Sequence, residues 1–174
     1  MGAKKVNVLV FSDSHGKIDN IRAALERQIE RPDAVIFLGD GLRDMEQLEL
    51  DVPVFCVRGN CDYMGIYLLD APDEQLISLG SKRLFITHGH NYGVKSTLSP
   101  IISRAKELCA DIVLFGHTHE PFEKTVNQQN DYGIYLEKPM ILMNPGSIGS
   151  YPYSFGSIMI DRRGAVLASH GTLR

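Results

Sequence analysis

Seven side chains with oxygen or nitrogen donors stand at points where the chain is built to turn: Asp13, His15, Asp40, Asn60, His88, His117 and His119. Carboxylate, amide and imidazole donors of this kind bind Mn, Fe, Zn, Ni or Mg ions, and no cysteine is needed to complete the set. Seven exceed what one catalytic ion with an open position accepts. They suit two ions that share a bridging carboxylate and lie ~3.5–4 Å apart, as in two-metal hydrolases. Taken singly, each piece has a plainer meaning. Asp13-x-His15 and Gly39-Asp40 fit turns, Gly59-Asn60 fits a type I′ turn, and His117-x-His119 fits two exposed side chains. What joins them is context, because every piece follows a short apolar run.

Those runs are residues 6–11, 34–38, 54–57, 84–86, 112–115 and 141–143, each ending abruptly in Gly, Asp, Asn or a His-containing segment. Their length and apolar character predict strands buried on both faces. Between the first two, Ile18, Ile21, Leu25 and Ile29 share a helical face and Pro32 closes the segment; Ile101, Ile102, Ala105 and Leu108 predict a second helix, and residues 42–50 a third, shorter one. Strand-helix-strand alternation implies parallel strands. From residue 122 to 168 strand-like runs follow without helices: 157–160 and 165–169 read as a hairpin, 127–132 as a polar loop, and Asn144-Pro145-Gly146-Ser147 as a tight turn of type II. The fold class is α/β, in which ligands sit beyond the carboxyl ends of parallel strands.

In their order along the chain, Asp13-x-His15, Gly39-Asp40, Gly59-Asn60, His88 and Gly116-His117-x-His119 resemble the signature of the calcineurin-like metallophosphoesterases. The short length and the closing Asn144-Pro145-Gly146-Ser147 are similar to the small prokaryotic phosphodiesterase branch of that superfamily. The resemblance runs from residue 8 to 147. It implies a two-sheet β-sandwich flanked by helices, a four-layer αββα arrangement, in one domain covering residues 1–174. It also implies two divalent ions, often manganese, and a metal-bridging hydroxide that hydrolyses a phosphate diester. Residue by residue, Asp13, His15 and His119 would hold the first metal, Asp40 would bridge both, and Asn60, His88 and His117 would complete the second.

One position departs from the larger members of the family, which carry His directly after the metal-binding Asn and use it on the leaving oxygen. Cys61 stands there instead, as it often does in the small branch. A thiol is a poor substitute for imidazole near neutral pH, and a small buried apolar side chain is its plainer role. Without a positioned acid, esters with good leaving groups should react fastest. His90 is a candidate to meet substrate or orient a ligand, or else an exposed loop residue. Arg58 is a candidate for a phosphate oxygen, or a surface residue before a turn. The resemblance gives Asn144 a supporting hydrogen-bond role, and His170 reads as solvated. Two alternatives stay open: a phosphomonoesterase or nucleotide phosphatase using the same metals, and a protein-binding scaffold, as in a eukaryotic retromer subunit of this fold.

Composition narrows the classes. The chain has 174 residues and a net charge of −3, so there is no basic excess of the kind a general nucleic-acid or membrane binder shows. Three cysteines, Cys56, Cys61 and Cys109, without a C-x-x-C pair argue for a reducing, cytoplasmic setting. The basic start and its short apolar run stop at Ser12-Asp13, too early for a signal peptide, and no apolar stretch spans a bilayer. A phosphate-ester substrate is the expected partner, and residues 63–69 are a candidate surface for a homo-oligomer.

Overall fold

In chain order the strands of the computed structural model are Val6–Phe11 (β1), Ala34–Phe37 (β2), Val54–Cys56 (β3), Glu74–Leu79 (β4), Lys82–Thr87 (β5), Ile112–Leu114 (β6), Pro121–Val126 (β7), Met140–Pro145 (β8), Ser154–Ile160 (β9) and Val166–Thr172 (β10). The α-helices are Ile18–Glu26 (α1), Leu42–Glu46 (α2) and Ser99–Glu107 (α3). The structure describes residues 4–64 and 70–173, so most of the expected interface segment 63–69 lies outside the described residues.

The strands form two five-stranded sheets, ordered β10-β9-β1-β2-β3 and β4-β5-β6-β8-β7. Each has a parallel centre, β1-β2-β3 in one and β5-β6-β8 in the other, with antiparallel strands outside. Alternation along each strand sends one set of side chains inward and the other outward. Val8, Val10, Ile36, Leu84, Ile86, Leu114 and Ile158 meet between the sheets. Leu9, Phe11, Val35 and Phe37, on the other face of the first sheet, pack against Ile21 and Ala24 of α1 and Leu42 and Met45 of α2. Phe85, Val113 and Leu142 do the same with Ile101, Ile102 and Ala105 of α3. Helix, sheet, sheet and helix thus make four layers.

The differences from expectation have local causes. Helix α1 ends at Glu26, with the Gln28 side chain bonded to the Ala24 carbonyl at 2.7 Å, so Ile29 is fully exposed rather than on the buried face. Strands β4 and β7 carry too many polar residues to stand out as apolar runs; both are edge strands, and β7 opens with Pro121, which such a position tolerates. The segment Asn144-Pro145-Gly146-Ser147 does not close as a separate tight turn. Asn144 and Pro145 finish β8 opposite Phe122 and Pro121, and only Gly146, at φ 77°, breaks the strand. His170 is exposed but its Nε2 lies 2.8 Å from the Asn144 carbonyl, an acceptor to which it donates. No helix among the described residues is long and apolar enough to cross a membrane.

At the start of the central strands of the second sheet, Asp111 ties three chain segments together. Its Oδ2 accepts from the Arg83 N–H at 2.8 Å, its Oδ1 pairs with Lys138 at 2.5 Å, and its carbonyl accepts from the Ile141 N–H at 3.0 Å. Burial would raise this carboxyl, but the Arg83 N–H and the Lys138 ammonium outweigh it and hold it below 3.8. A carboxylate with a lowered native pKa stabilises the fold above its ordinary value, and that contribution is lost as pH falls through the native value. Asp111→Ala should therefore cost about 1–2 kcal/mol near pH 7. Paired urea denaturations of the variant and the parent at pH 7 and pH 3 should show the gap shrinking in acid.

Candidate metal centre

The five donor-bearing loops all leave the carboxyl ends of parallel strands: Asp13 and His15 after β1, Asp40 after β2, Asn60 after β3, His88 after β5, and His117 and His119 after β6. Because the two sheets face each other, these ends meet in one cleft. Asp13 Oδ1 lies 3.1 Å from His119 Nε2 and 3.9 Å from both His15 Nε2 and His88 Nε2. His88 Nε2 lies 3.5 Å from Asp40 Oδ2 and 3.2 Å from Asn60 Oδ1. The His117 ring faces that of His88 at 5.1 Å between centroids, and His90 stands 5.3 Å from His88 and 6.1 Å from His117. Among the described residues, three groupings have ligand atoms close enough to hold an ion: Asp13 with His15 and His119, Asp13 with Asp40 and His88, and His15 with Asp40 and Cys61.

The donors present fit divalent cations. His88 Nδ1 sits 2.7 Å from the Leu38 carbonyl, which can only accept, so Nδ1 carries a proton and the ring is held with Nε2 turned into the cleft. Asp13 Oδ2 accepts from the Ser12 hydroxyl at 2.5 Å and the His117 N–H at 3.1 Å. Its Oδ1 is buried without a hydrogen-bond partner and looks onto imidazole nitrogens. A buried carboxylate oxygen left in this state is costly unless a cation meets it.

Electrostatics sort the groups. Burial alone would raise Asp13, but contact with His119, the charge of His88 and the Ser12 hydroxyl hold it below its ordinary value. Contact with that carboxylate raises His119 against the pull of burial. Burial, then His88 and Lys95, push His117 down to about 4, and burial with His88 lowers His90, so both are neutral near pH 7. Cys61 is exposed at the cleft rather than buried, because its N–H is drawn to Asp40 Oδ1 at 2.7 Å at the start of a short 3-10 helix, Asn60–Met64. Burial and then Asp40 push its thiol up to about 11, so it stays protonated and is a weak acid for any leaving group. Arg58 is half-buried, with its guanidinium 5.4 Å from the Tyr63 ring centre, whose edge in turn meets His90 at 6.0 Å. Asn144 braces the His117 loop, donating to the Gly116 carbonyl at 2.7 Å and to Thr118 Oγ1 at 3.0 Å.

The glycines of the motifs stand where another backbone or carboxylate passes. A Cβ on Gly59 would come within 2.8 Å of Asp40 Cγ, and one on Gly116 within 2.9 Å of Asp13 Oδ2. Gly59-Asn60 therefore opens a 3-10 helix rather than a hairpin turn, and its glycine serves close approach. Two residues that sequence inspection passed over hold the loops in place. Buried Asp62 accepts from the N–H groups of Asp40 (2.7 Å), Gly41 (3.0 Å), Leu42 (3.1 Å) and Gly59 (2.9 Å). Buried Asp44 accepts from Ser14 Oγ at 2.5 Å and from the Gly16 N–H at 2.9 Å. The one available signal for Asp62 was its place two residues after Asn60.

A model of the calcineurin-like phosphoesterase superfamily domain matches residues 6–161. The probable metallophosphoesterase YsnB of Bacillus subtilis is 36% identical over 143 residues, which are 82% of this chain and 75% of that protein. Phosphodiesterase MJ0936 of Methanocaldococcus jannaschii is 29% identical over 156 residues, 82% of this chain and 84% of that one. The structure of vacuolar protein sorting 29 from Cryptosporidium parvum shares the fold at a TM-score of 0.70 and 16% identity, covering 98% of each chain.

Asp62 meets none of the seven donor side chains, yet its carboxylate fixes the backbone that carries two of them. Asp62→Ala should weaken divalent-metal affinity 10–100-fold, as loss of a supporting partner to a ligand typically does. Thermal unfolding with and without manganese checks this: the metal-induced rise in Tm should be large in the parent and small in the variant.

Proposed function

The chain belongs to the calcineurin-like phosphoesterase superfamily, and we propose that within it the protein is a phosphodiesterase working with two divalent cations, manganese first among the candidates. It is a metal-dependent phosphoric ester hydrolase. The observation that carries the dinuclear proposal is the convergence of two buried carboxylates, Asp13 and Asp40, on imidazole and amide groups, with Asp13 Oδ1 buried and without a hydrogen-bond partner. In this proposal Asp13, His15 and His119 take one cation, Asn60, His88 and His117 the other, and Asp40 both.

The bound cations would supply Lewis acidity, acidifying a water and drawing charge from the phosphate oxygens. The chain's own residues do the rest. The Leu38 carbonyl, by accepting from Nδ1, holds the His88 ring with Nε2 aimed into the cleft. Neutral His117 and His90 offer nitrogen ligation and an N–H without adding positive charge that would repel the cations. His90, its ring 5.3 Å from that of His88, is placed beside the cluster where it could meet a bound phosphate. Arg58, stacked on Tyr63, forms the same wall. Neither the Cys61 thiol nor neutral His90 is a strong acid, which favours diesters with good leaving groups over poor ones. The shared core between the sheets supports one domain over residues 1–174, and the free thiols of Cys56, Cys61 and Cys109 support a cytoplasmic setting.

Asp40→Asn and His117→Ala should each lower kcat on an activated phosphodiester by 100-fold or more with manganese present. In the parent, a p-nitrophenyl diester should be turned over faster than the matching monoester. Steady-state assays of these variants and substrates decide it: unchanged turnover rejects the metal proposal, and a faster monoester points to a phosphomonoesterase.

A further inference from the structure

A groove of about 420 Å³ opens directly beside the donor cluster, and nothing in the ligand set uses it. Its walls come from the two loops that carry His88 and His117. Val94 packs over Gly89, the residue between His88 and His90, and Thr118 sits between His117 and His119. Phe115 and Phe122, with ring centroids 6.1 Å apart, and half-buried Leu98 give it apolar surface. At its rim Lys95 is exposed, and among the described residues its ammonium has no acidic partner within ion-pair distance and no hydrogen bond. Glu120 also lines the groove, an acceptor for a hydroxyl or amino group and a deterrent to a second phosphate.

We propose that this groove seats the organic substituent of the substrate, and that the substituent is an aromatic or nucleobase-like ring on a phosphate held between the donor cluster and Lys95. The proposal rests on the phosphoesterase assignment and adds to it a substrate class. Three observations favour a ring over an alkyl chain or a bare phosphate. Ligand sites of roughly 300–1,000 Å³ suit groups of that size. Half-buried Phe122, backed by the buried ring of Phe115, prefers an aromatic partner. The sole cation lies at the rim, where the phosphate joins the ring, while the interior is apolar.

The test reads binding apart from turnover. Phenylphosphonate and methylphosphonate, neither of which carries a hydrolysable ester, are titrated calorimetrically into the manganese-loaded chain. Bis(p-nitrophenyl) phosphate and methyl p-nitrophenyl phosphate, which share a leaving group, are compared by kcat/KM. The parent should prefer the aryl member of each pair about tenfold. Leu98→Trp, which fills the groove, should abolish both preferences while leaving the methyl compounds within twofold. Lys95→Gln, at an exposed position, should weaken both phosphonates three- to tenfold, keep their ratio and leave Tm unchanged. Equal affinity for the two phosphonates in the parent overturns the groove assignment, as does a preference that survives Leu98→Trp in a chain with unchanged Tm. Aryl-selective binding without hydrolysis of either diester upholds the groove and rejects the hydrolase instead, so the two failures are distinct.

Discussion

Everything in this structure is arranged around two carboxylates that sit where carboxylates are expensive. Asp13 and Asp40 are almost wholly buried, and each turns one oxygen toward the same imidazole nitrogen, at 3.9 and 3.5 Å. Their other oxygens are well supplied with donors: Asp13 Oδ2 by Ser12 and the His117 N–H, Asp40 Oδ1 by the Cys61 N–H. The inward oxygen of Asp13 is not: it is buried and has no hydrogen-bond partner. Buried charge without compensation costs several kcal/mol, and removing a partner from such a site is worse than never having built it. Divalent cations resolve the conflict, and the surrounding donors are of the kinds such cations accept.

Holding the donors there strains the backbone. Asp13, His15, Asp40, His117 and His119 all have positive φ, between 45° and 68°, where non-glycine residues are uncommon. Each costs on the order of 1 kcal/mol or more unless its surroundings dictate it. The surroundings do. Asp62 gathers four N–H groups from the Asp40 and Asn60 loops; Asp44 ties down Ser14 and Gly16; the Ser147 hydroxyl donates to the Asp13 carbonyl at 2.8 Å; and Asn144 clamps the His117 loop. The parallel centres of the two sheets aim these loops into one cleft, and the core between the sheets fixes their separation. Fold, strain and site are thus one construction.

Much of this was legible in the sequence, for physical reasons. Central strands are apolar on both faces, so β1, β2, β5 and β6 stand out as runs, and their donors stand at the run ends. The edge strands β4 and β7 meet solvent on one side and their alternating polarity hid them. Gly59 looked like a turn glycine because a sequence cannot show that a carboxylate from residue 40 passes over it. Cys61 looked like a buried thiol for a similar reason: its exposure follows from the N–H bond to Asp40, a partner 21 residues away. Asp62 carried only its place after Asn60 as a signal, since a residue that works by accepting backbone N–H groups leaves little trace in side-chain spacing.

The central claim is that these donors enclose a pair of cations. X-ray diffraction from crystals grown with manganese, with data collected on both sides of its absorption edge, measures this directly. Two anomalous peaks per chain, roughly 3.5–4 Å apart and flanking Asp40, are the result this account predicts. A single peak, or none within reach of Asp13 and Asp40, would contradict it.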